Sequence, residues 1–526
     1  MKRLSIVFVA FCGMLSVPIL SAAEDEAPVV RVSAGELRGQ AAGDLMIFKG
    51  IPYAAPPVGD LRWRSPQPAQ AWNGMRLATE FGNECMQAPA ALSSNPLRAT
   101  LSEDCLYLNV WAPKGRNASS LPVMVWIHGG GFVNGGSSPA AFDGSHFAER
   151  GIVFVSINYR LGRFGFFSFP ALLQEGGPVG NYALMDQIAA LRWVRQNIAA
   201  FGGDPRRVTV FGESAGGESV NLLLDSPQSR GLFVRAIIES GGGRDNLMVA
   251  RPLEQAGPQG ASSAVQTGIR FAHSAGIDGT DAKALAALRS LPAERIVSSL
   301  NMGSTEQQSE VYSGLILDGT IIKRTTESAY RDCQQDNVAV IVGANDADLG
   351  AAKGDTVEAI LTRFGSDMNA TRRAFAIEPD DTVAAVRNKV GGVEMMVEPA
   401  RYVARSVAGC GGTVYEFRFA HVAAPLRERF SGALHSSEIP YVFGTLHESV
   451  WGNLGEGLAK DDLNVERQMH EYWVNFVKTG DPNGSGLPIW HRYRTAEDRL
   501  MNFTTTGASS EIDSWHERLD LVEKLH

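Results

Sequence analysis

The chain has 526 residues, 44% of them apolar and 20% charged, enough apolar material to bury a large core. Its formal net charge of −9 gives no electrostatic basis for binding nucleic acid or an anionic membrane surface. No internal repeat, low-complexity tract or long charge block divides it.

Met1 to Ala23 reads as a signal peptide. Lys2 and Arg3 open it, Leu4 to Leu20 is mostly apolar, and Ser21-Ala22-Ala23 offers small residues for cleavage before Glu24. A membrane anchor fits less well, because the apolar run is short and broken by Gly13, Ser16 and Pro18. Cys12 follows bulky Phe11, a poor setting for lipid attachment. The expected mature protein is exported, periplasmic or secreted, with residues 24–526 as one domain and no membrane span. Cys85, Cys105, Cys333 and Cys410 then remain, an even count that suggests disulfides in an oxidising compartment. Cys85 and Cys105 close a loop short enough for a bridge, whereas pairing Cys333 with Cys410 is arithmetic alone. No Cys-x-x-Cys spacing is present, so no zinc site is expected.

Val29 to Phe48 reads as short alternating strands around a glycine turn. Leu106–Trp111, Val123–Ile127 and Val153–Ile157 are apolar at successive positions, as strands buried on both faces are. Tyr182 to Ala200 is an amphipathic helix, with Leu184, Ile188, Leu191, Val194 and Ile198 at helical spacing. Ala236–Glu239 and Val338–Val342 add two strands. Strands alternating with helices predict an α/β fold around a large, mostly parallel central sheet. The helix-rich stretch from Gly257 to Ser328 is expected to cap the site.

Val208 to Phe211 feeds Gly212-Glu213-Ser214-Ala215-Gly216, and helix-compatible residues follow to Leu224. A strand, a Gly-x-Ser-x-Gly turn and a helix make a nucleophile elbow, which lifts one serine hydroxyl clear of the sheet. Gly212 and Gly216 leave room for neighbouring backbone that a Cβ would occupy. The helix N-terminus behind Ser214 favours a nearby oxyanion. His128-Gly129-Gly130-Gly131-Phe132 directly follows the strand Val123–Ile127. Its unshielded amides at Gly130 and Gly131, with that of Ala215, suit a tetrahedral oxyanion. His128 reads as a residue that fixes this loop.

A histidine base should lie well after Ser214, and His421, His435, His447, His470, His491, His516 and His526 all satisfy that order. His435 stands in a small-residue loop, Gly432 to Pro440, just before an apolar segment. Composition does not single it out further.

Phe201-Gly202-Gly203 through Gly216 resembles the serine signature of the type-B carboxylesterases, the cholinesterase-like group with the α/β-hydrolase fold. Glu103-Asp104-Cys105-Leu106-Tyr107-Leu108-Asn109-Val110 resembles that family's second signature, and Gly50 to Gly59, Asn158-Tyr159-Arg160, Gly180-Asn181-Tyr182 and Thr479 to Asn483 match it too. The resemblance runs from about Val29 to Trp490. It implies Ser214 as nucleophile, and His435 as base through His435-x-x-Glu438-Ile439-Pro440-Tyr441. It also implies the three oxyanion amides, Ser240 as a serine beside the triad's acid, and a Cys85–Cys105 bridge.

Two departures stand out. The family's acid is usually glutamate in Gly-x-Asn-x-x-Glu, whereas Gly343-Ala344-Asn345-Asp346-Ala347-Asp348 ends in aspartate. Asp348 holds the family register, with Asp346 two positions away and Glu438 close to His435 as the alternatives. Glu438 is three residues from His435, where local backbone competes for it. Cholinesterases place a tryptophan inside the first disulfide loop to hold quaternary ammonium. Met86 to Asp104 contains none, which argues against choline esters. The implied activity is hydrolysis of a small-molecule carboxylic ester through an acyl-enzyme, with no cofactor and no metal. Amidase or lyase chemistry on the same triad, and a non-catalytic binding protein of the same fold, are the competing readings.

Overall fold

The computed structural model describes residues 27–89, 97–115, 120–257, 260–448, 454 and 457–526. The expected signal peptide lies outside the described residues. Eleven strands form the main sheet: β1 Gln40–Ala42, β2 Leu45–Pro52, β3 Tyr107–Pro113, β4 Leu121–Ile127, β5 Val153–Ile157, β6 Gly203–Glu213, β7 Arg235–Glu239, β8 Ala339–Asn345, β9 Val414–Phe419, β10 Arg499–Thr504 and β11 Gly507–Ile512. Their spatial order is β11-β10-β9-β8-β7-β6-β4-β5-β3-β2-β1. The run from β10 to β5 is parallel, and the strands at either end pair antiparallel.

The strands read from sequence lie within two residues of their expected ends, except that β6 begins five residues earlier, at Gly203, β2 runs past Phe48 to Pro52, and β8 runs on to Asn345. Strands β9, β10 and β11 were not anticipated. Period-2 alternation explains why the central strands are apolar throughout. In β4, Val123, Val125 and Ile127 enter the core on one face, while Met124 and Trp126 enter the core on the other. In β8, Val340 and Val342 face the first core and Ile341 the second. Burying one such side chain contributes about 1.5–3 kcal/mol relative to exposure, so both faces hold the sheet in register.

The helix after β5 spans Tyr182–Asn197, and a 3₁₀ turn, Ile198–Phe201, completes the predicted stretch. It is buried almost all round, Asp186 and Gln187 included, so it is an interior helix more than an amphipathic one. Asp186 is neutralised by a fork of bonds from Arg160, at 2.8 and 2.7 Å. The middle segment carries the helices Ala264–Ser274, Ala282–Arg289 and Ala293–Val297. Among the described residues, no helix is long and apolar enough to cross a membrane. Disulfides join Cys85 to Cys105 and Cys333 to Cys410.

Candidate active site

The order of the sheet reverses around β4 and β6, and ligands of open α/β sheets bind beyond the carboxyl ends of strands at such a point. There β6 ends at Glu213, and Ser214 caps the helix Ala215–Asp225 with φ 56° and ψ −123°. A Cβ on Gly216 would stand 2.0 Å from the carbonyl oxygen of Ile127, and one on Gly212 2.5 Å from the carbonyl of Gly216. The turn can be this tight only because both are glycine. Ser214 is one of several non-glycine residues at positive φ around the site, with Phe132, Ser240 and Ser436. Such backbone costs on the order of 1–3 kcal/mol each and persists where surrounding structure enforces it.

The glycine loop leaves β4 beside this turn. A Cβ on Gly129 would come within 3.0 Å of the Ser214 Cβ. Among the described residues, no protein acceptor takes the amide N–H of Gly130, Gly131 or Ala215, so all three donors are available to a ligand. His128 is fully buried, stacks on Tyr159 at 4.4 Å, and faces the carbonyl of Gly129 through Nδ1 at 2.8 Å. Burial pulls its pKa down to about 4, so it stands neutral and braces the loop.

His435 Nδ1 lies 2.6 Å from Asp348 Oδ1. That carboxylate also accepts from the amide of Leu349 at 2.7 Å, from Ser240 Oγ at 2.6 Å and from the amide of Asn345 at 2.9 Å. Burial works against its ionisation, but the charge and hydrogen bond of His435, with those of Ser240 and Asn345, prevail and lower its pKa. Asp346 forms no hydrogen bond or ion pair with His435. Its Oδ1 instead accepts from the amide of Ala433 at 2.6 Å, Ala347 donates to the Ala433 carbonyl at 3.1 Å, and Asn345 Nδ2 donates to the Leu434 carbonyl at 2.7 Å. The acid loop and the histidine loop are thereby laced together along their backbones.

The loop that carries Asp348 lies backbone to backbone against the end of the helix Val383–Gly392. A Cβ on Gly392 would stand 2.5 Å from the carbonyl oxygen of Asp348, and one on Gly350 2.1 Å from the carbonyl of Gly391.

Glu213 is the residue that sequence reasoning missed. Its Oε1 lies 3.2 Å from His435 Nε2 and accepts from Ser436 Oγ at 2.5 Å. Glu438, expected to meet local backbone, accepts through Oε2 from Asn345 Nδ2 at 2.5 Å. Burial raises the pKa of both acids, that of Glu438 to about 8. His435 is desolvated too, but Glu213, Asp348 and Glu438 around it push its pKa up to about 10. With Nδ1–H directed at Asp348, a bare Nε2 lone pair would confront the Glu213 carboxylate. A proton therefore belongs between them, and these groups titrate as a set. A charged residue closing a strand whose faces are both buried was the available signal.

Two other late histidines have partners of their own: His470 Nδ1 meets the Val442 carbonyl at 2.8 Å, and His421 Nε2 meets Asp462 at 2.7 Å. His421, Asp461 and Asp462 are the one group at metal-ligand spacing among the described residues, within 4.8 Å. Arg427 already bonds both aspartates, and the amides of Ala424 and Ala459 bond Asp462, so charge and lone pairs are largely committed.

The profile of the carboxylesterase family matches residues 26–389 and 378–519. Fumonisin B1 esterase of Sphingopyxis macrogoltabida is 34% identical over 521 residues, covering 96% of this chain and 92% of that protein. Mouse carboxylesterase 1C is 32% identical, over 94% and 93% of the two chains. Among solved structures, a Geobacillus stearothermophilus carboxylesterase superposes with a TM-score of 0.76 at 32% identity, covering 94% of this chain and 99% of that one. Matched in sequence and in fold over nearly its whole length, the chain belongs to the carboxylesterase family and is a serine hydrolase of carboxylic esters.

Proposed function

We propose that Ser214 is the nucleophile, His435 the base and Asp348 the acid, with the amides of Gly130, Gly131 and Ala215 as the oxyanion hole and Ser240 steadying the acid. The observation that carries this reading is the chain of contacts from Ser240 through Asp348 to His435 beside the Ser214 turn. His435 Nε2 removes the Ser214 proton as Oγ attacks the ester carbonyl, and the three free amides hold the developing oxyanion. The imidazolium then protonates the departing alkoxide, leaving an acyl-enzyme on Ser214. Water, deprotonated by the same nitrogen, attacks the acyl carbon and releases the acid. Asp348 fixes the tautomer and stabilises the imidazolium throughout. Glu213 faces the ring from the Nε2 side.

The substrate on this reading is a small-molecule ester. Relatives with names as different as fumonisin B1 esterase and carboxylesterase 1C are about equally similar, so overall identity does not choose the ester. One sheet built from Gln40 to Ile512 supports a single catalytic domain, and two disulfides together with the leader-like residues 1–23 support export. Ser214→Ala should remove nearly all p-nitrophenyl acetate hydrolysis, a loss on the order of 10⁶ in kcat, while circular dichroism stays unchanged. A fluorophosphonate should label Ser214 and nowhere else; labelling that persists in the alanine variant would refute the assignment.

A further inference from the structure

The glycine loop has a neighbour outside the triad. Met302 is 54% exposed, yet its Cγ lies 3.2 Å from the place where a Cβ on Gly131 would stand. Its amide donates to Asn134 Oδ1 at 3.2 Å, which fastens it to the far end of the same loop. A large apolar side chain half in solvent against the Cα of an oxyanion-loop glycine has little stabilising reason to be there. It is placed where a substrate would meet it.

Its position is enforced. The amide of Gly162 donates to the Phe132 carbonyl at 2.7 Å, which ties the next residue, Arg163, to the glycine loop. Arg163 is buried, and its guanidinium spans the segment on both sides of Met302. It donates to the carbonyls of Ile296 and Val297 at 3.0 and 3.1 Å, and to the Val311 carbonyl at 2.9 Å and Gln308 Oε1 at 2.5 Å. Between these anchors Asn301 caps the turn Met302–Ser304, and Ser298 takes φ 53°. Backbone, glycine loop and clamp close a ring of contacts that aims one thioether side chain at Gly131.

We propose that Met302 is a wall of the acyl pocket and sets acyl-chain preference, with Arg163 as the positioning residue that holds it there. The inference rests on the triad and oxyanion assignment above. The side follows from the chemistry, since the leaving oxygen must face His435 Nε2 to receive its proton. The acyl group is then the part of the substrate left to the glycine loop and to Met302.

The test is a series of p-nitrophenyl esters from acetate to hexanoate and benzoate, with a second series of acetates of varied alcohols. Met302→Ala should raise kcat/KM for the bulky acyl esters relative to acetate by about tenfold, the lower end for changes of pocket size because the site is half open. Met302→Trp should shift that ratio the opposite way. Ratios in the alcohol series should move far less. Arg163→Lys keeps the charge but cannot span four acceptors, so it should relax acyl preference in the direction of Met302→Ala; the Met302 pair keeps the test decisive if that variant does not fold. Unchanged acyl ratios in both folded Met302 variants, or a larger shift in the alcohol series, would overturn the inference. Because fluorophosphonate labelling of Ser214 is read separately, this failure is distinct from failure of the triad assignment.

Discussion

Replacing Glu213 by glutamine tests the electrostatics of the site most directly. The amide keeps the shape and still accepts from Ser436, but it removes the first of the carboxylates that raise the proton affinity of His435. Opposite charges about 4 Å apart at an effective dielectric of 20 attract by about 4 kcal/mol, or some 3 pH units at most. Burial holds Glu213 toward its protonated form, so only part of that acts. An opposite charge at such a distance usually moves a pKa by about 1–3 units, and about 1–2 is expected here.

The sign follows from the protonation state that works. Only neutral His435 can accept the serine proton, so activity is lost as pH falls through its raised pKa. The wild-type acid limb of kcat/KM should lie above the ordinary histidine range, and in Glu213→Gln it should move down by about 1–2 units. Each unit is about 1.36 kcal/mol of imidazolium stabilisation, so the plateau kcat should fall by about 10–100-fold. The assay is p-nitrophenyl acetate hydrolysis across the pH range, read at the isosbestic wavelength of the released phenol. An acid limb that stays put or moves up in the folded variant would refute the reasoning.

Asp348→Asn should lower kcat by about 10⁴, the loss in the serine-protease example of a triad aspartate. Asp346→Asn should stay within about tenfold, since the Asp346 carboxylate bonds the Ala433 amide and not the ring; the reverse ranking in variants shown folded by circular dichroism would move the acid to Asp346. Gly392→Ala should drive the Asp348 backbone off its seat and cost about 10² in kcat, because misplacement by about 1 Å can cost that much. Asp348→Glu in the same background should restore part of the loss by reaching farther, and wild-type kcat in the single variant would show that the seat does not position the acid. Reductant should lower stability by roughly 2–4 kcal/mol per bridge. Cys333–Cys410, with a sequence separation of 77 against 20 for Cys85–Cys105, should account for the larger share in denaturant titrations of the separate serine variants.

What was legible in the sequence is what neighbouring residues decide together. Gly212 and Gly216 mark a turn that only glycine can make, and the apolar run of β4 can only be a strand buried on both faces. Three glycines after that strand leave amides without shields. These are backbone conformations, set within a few residues, and they located the serine and its glycine loop without a fold. Choosing among seven late histidines needed family motifs, because an isolated loop histidine carries no local signature. The partners of the site were beyond local reading altogether. Asp348 and His435 are 87 residues apart, and Glu213 and Ser436 are 223 apart. Whether Asp346 or Asp348 meets the ring depends on how one loop seats against Gly391 and Gly392. Whether Met302 meets Gly131 depends on a guanidinium more than a hundred residues away. Such contacts arise only when separate segments pack, because hydrogen bonds and charges act over a few ångströms of space, whatever the distance along the chain.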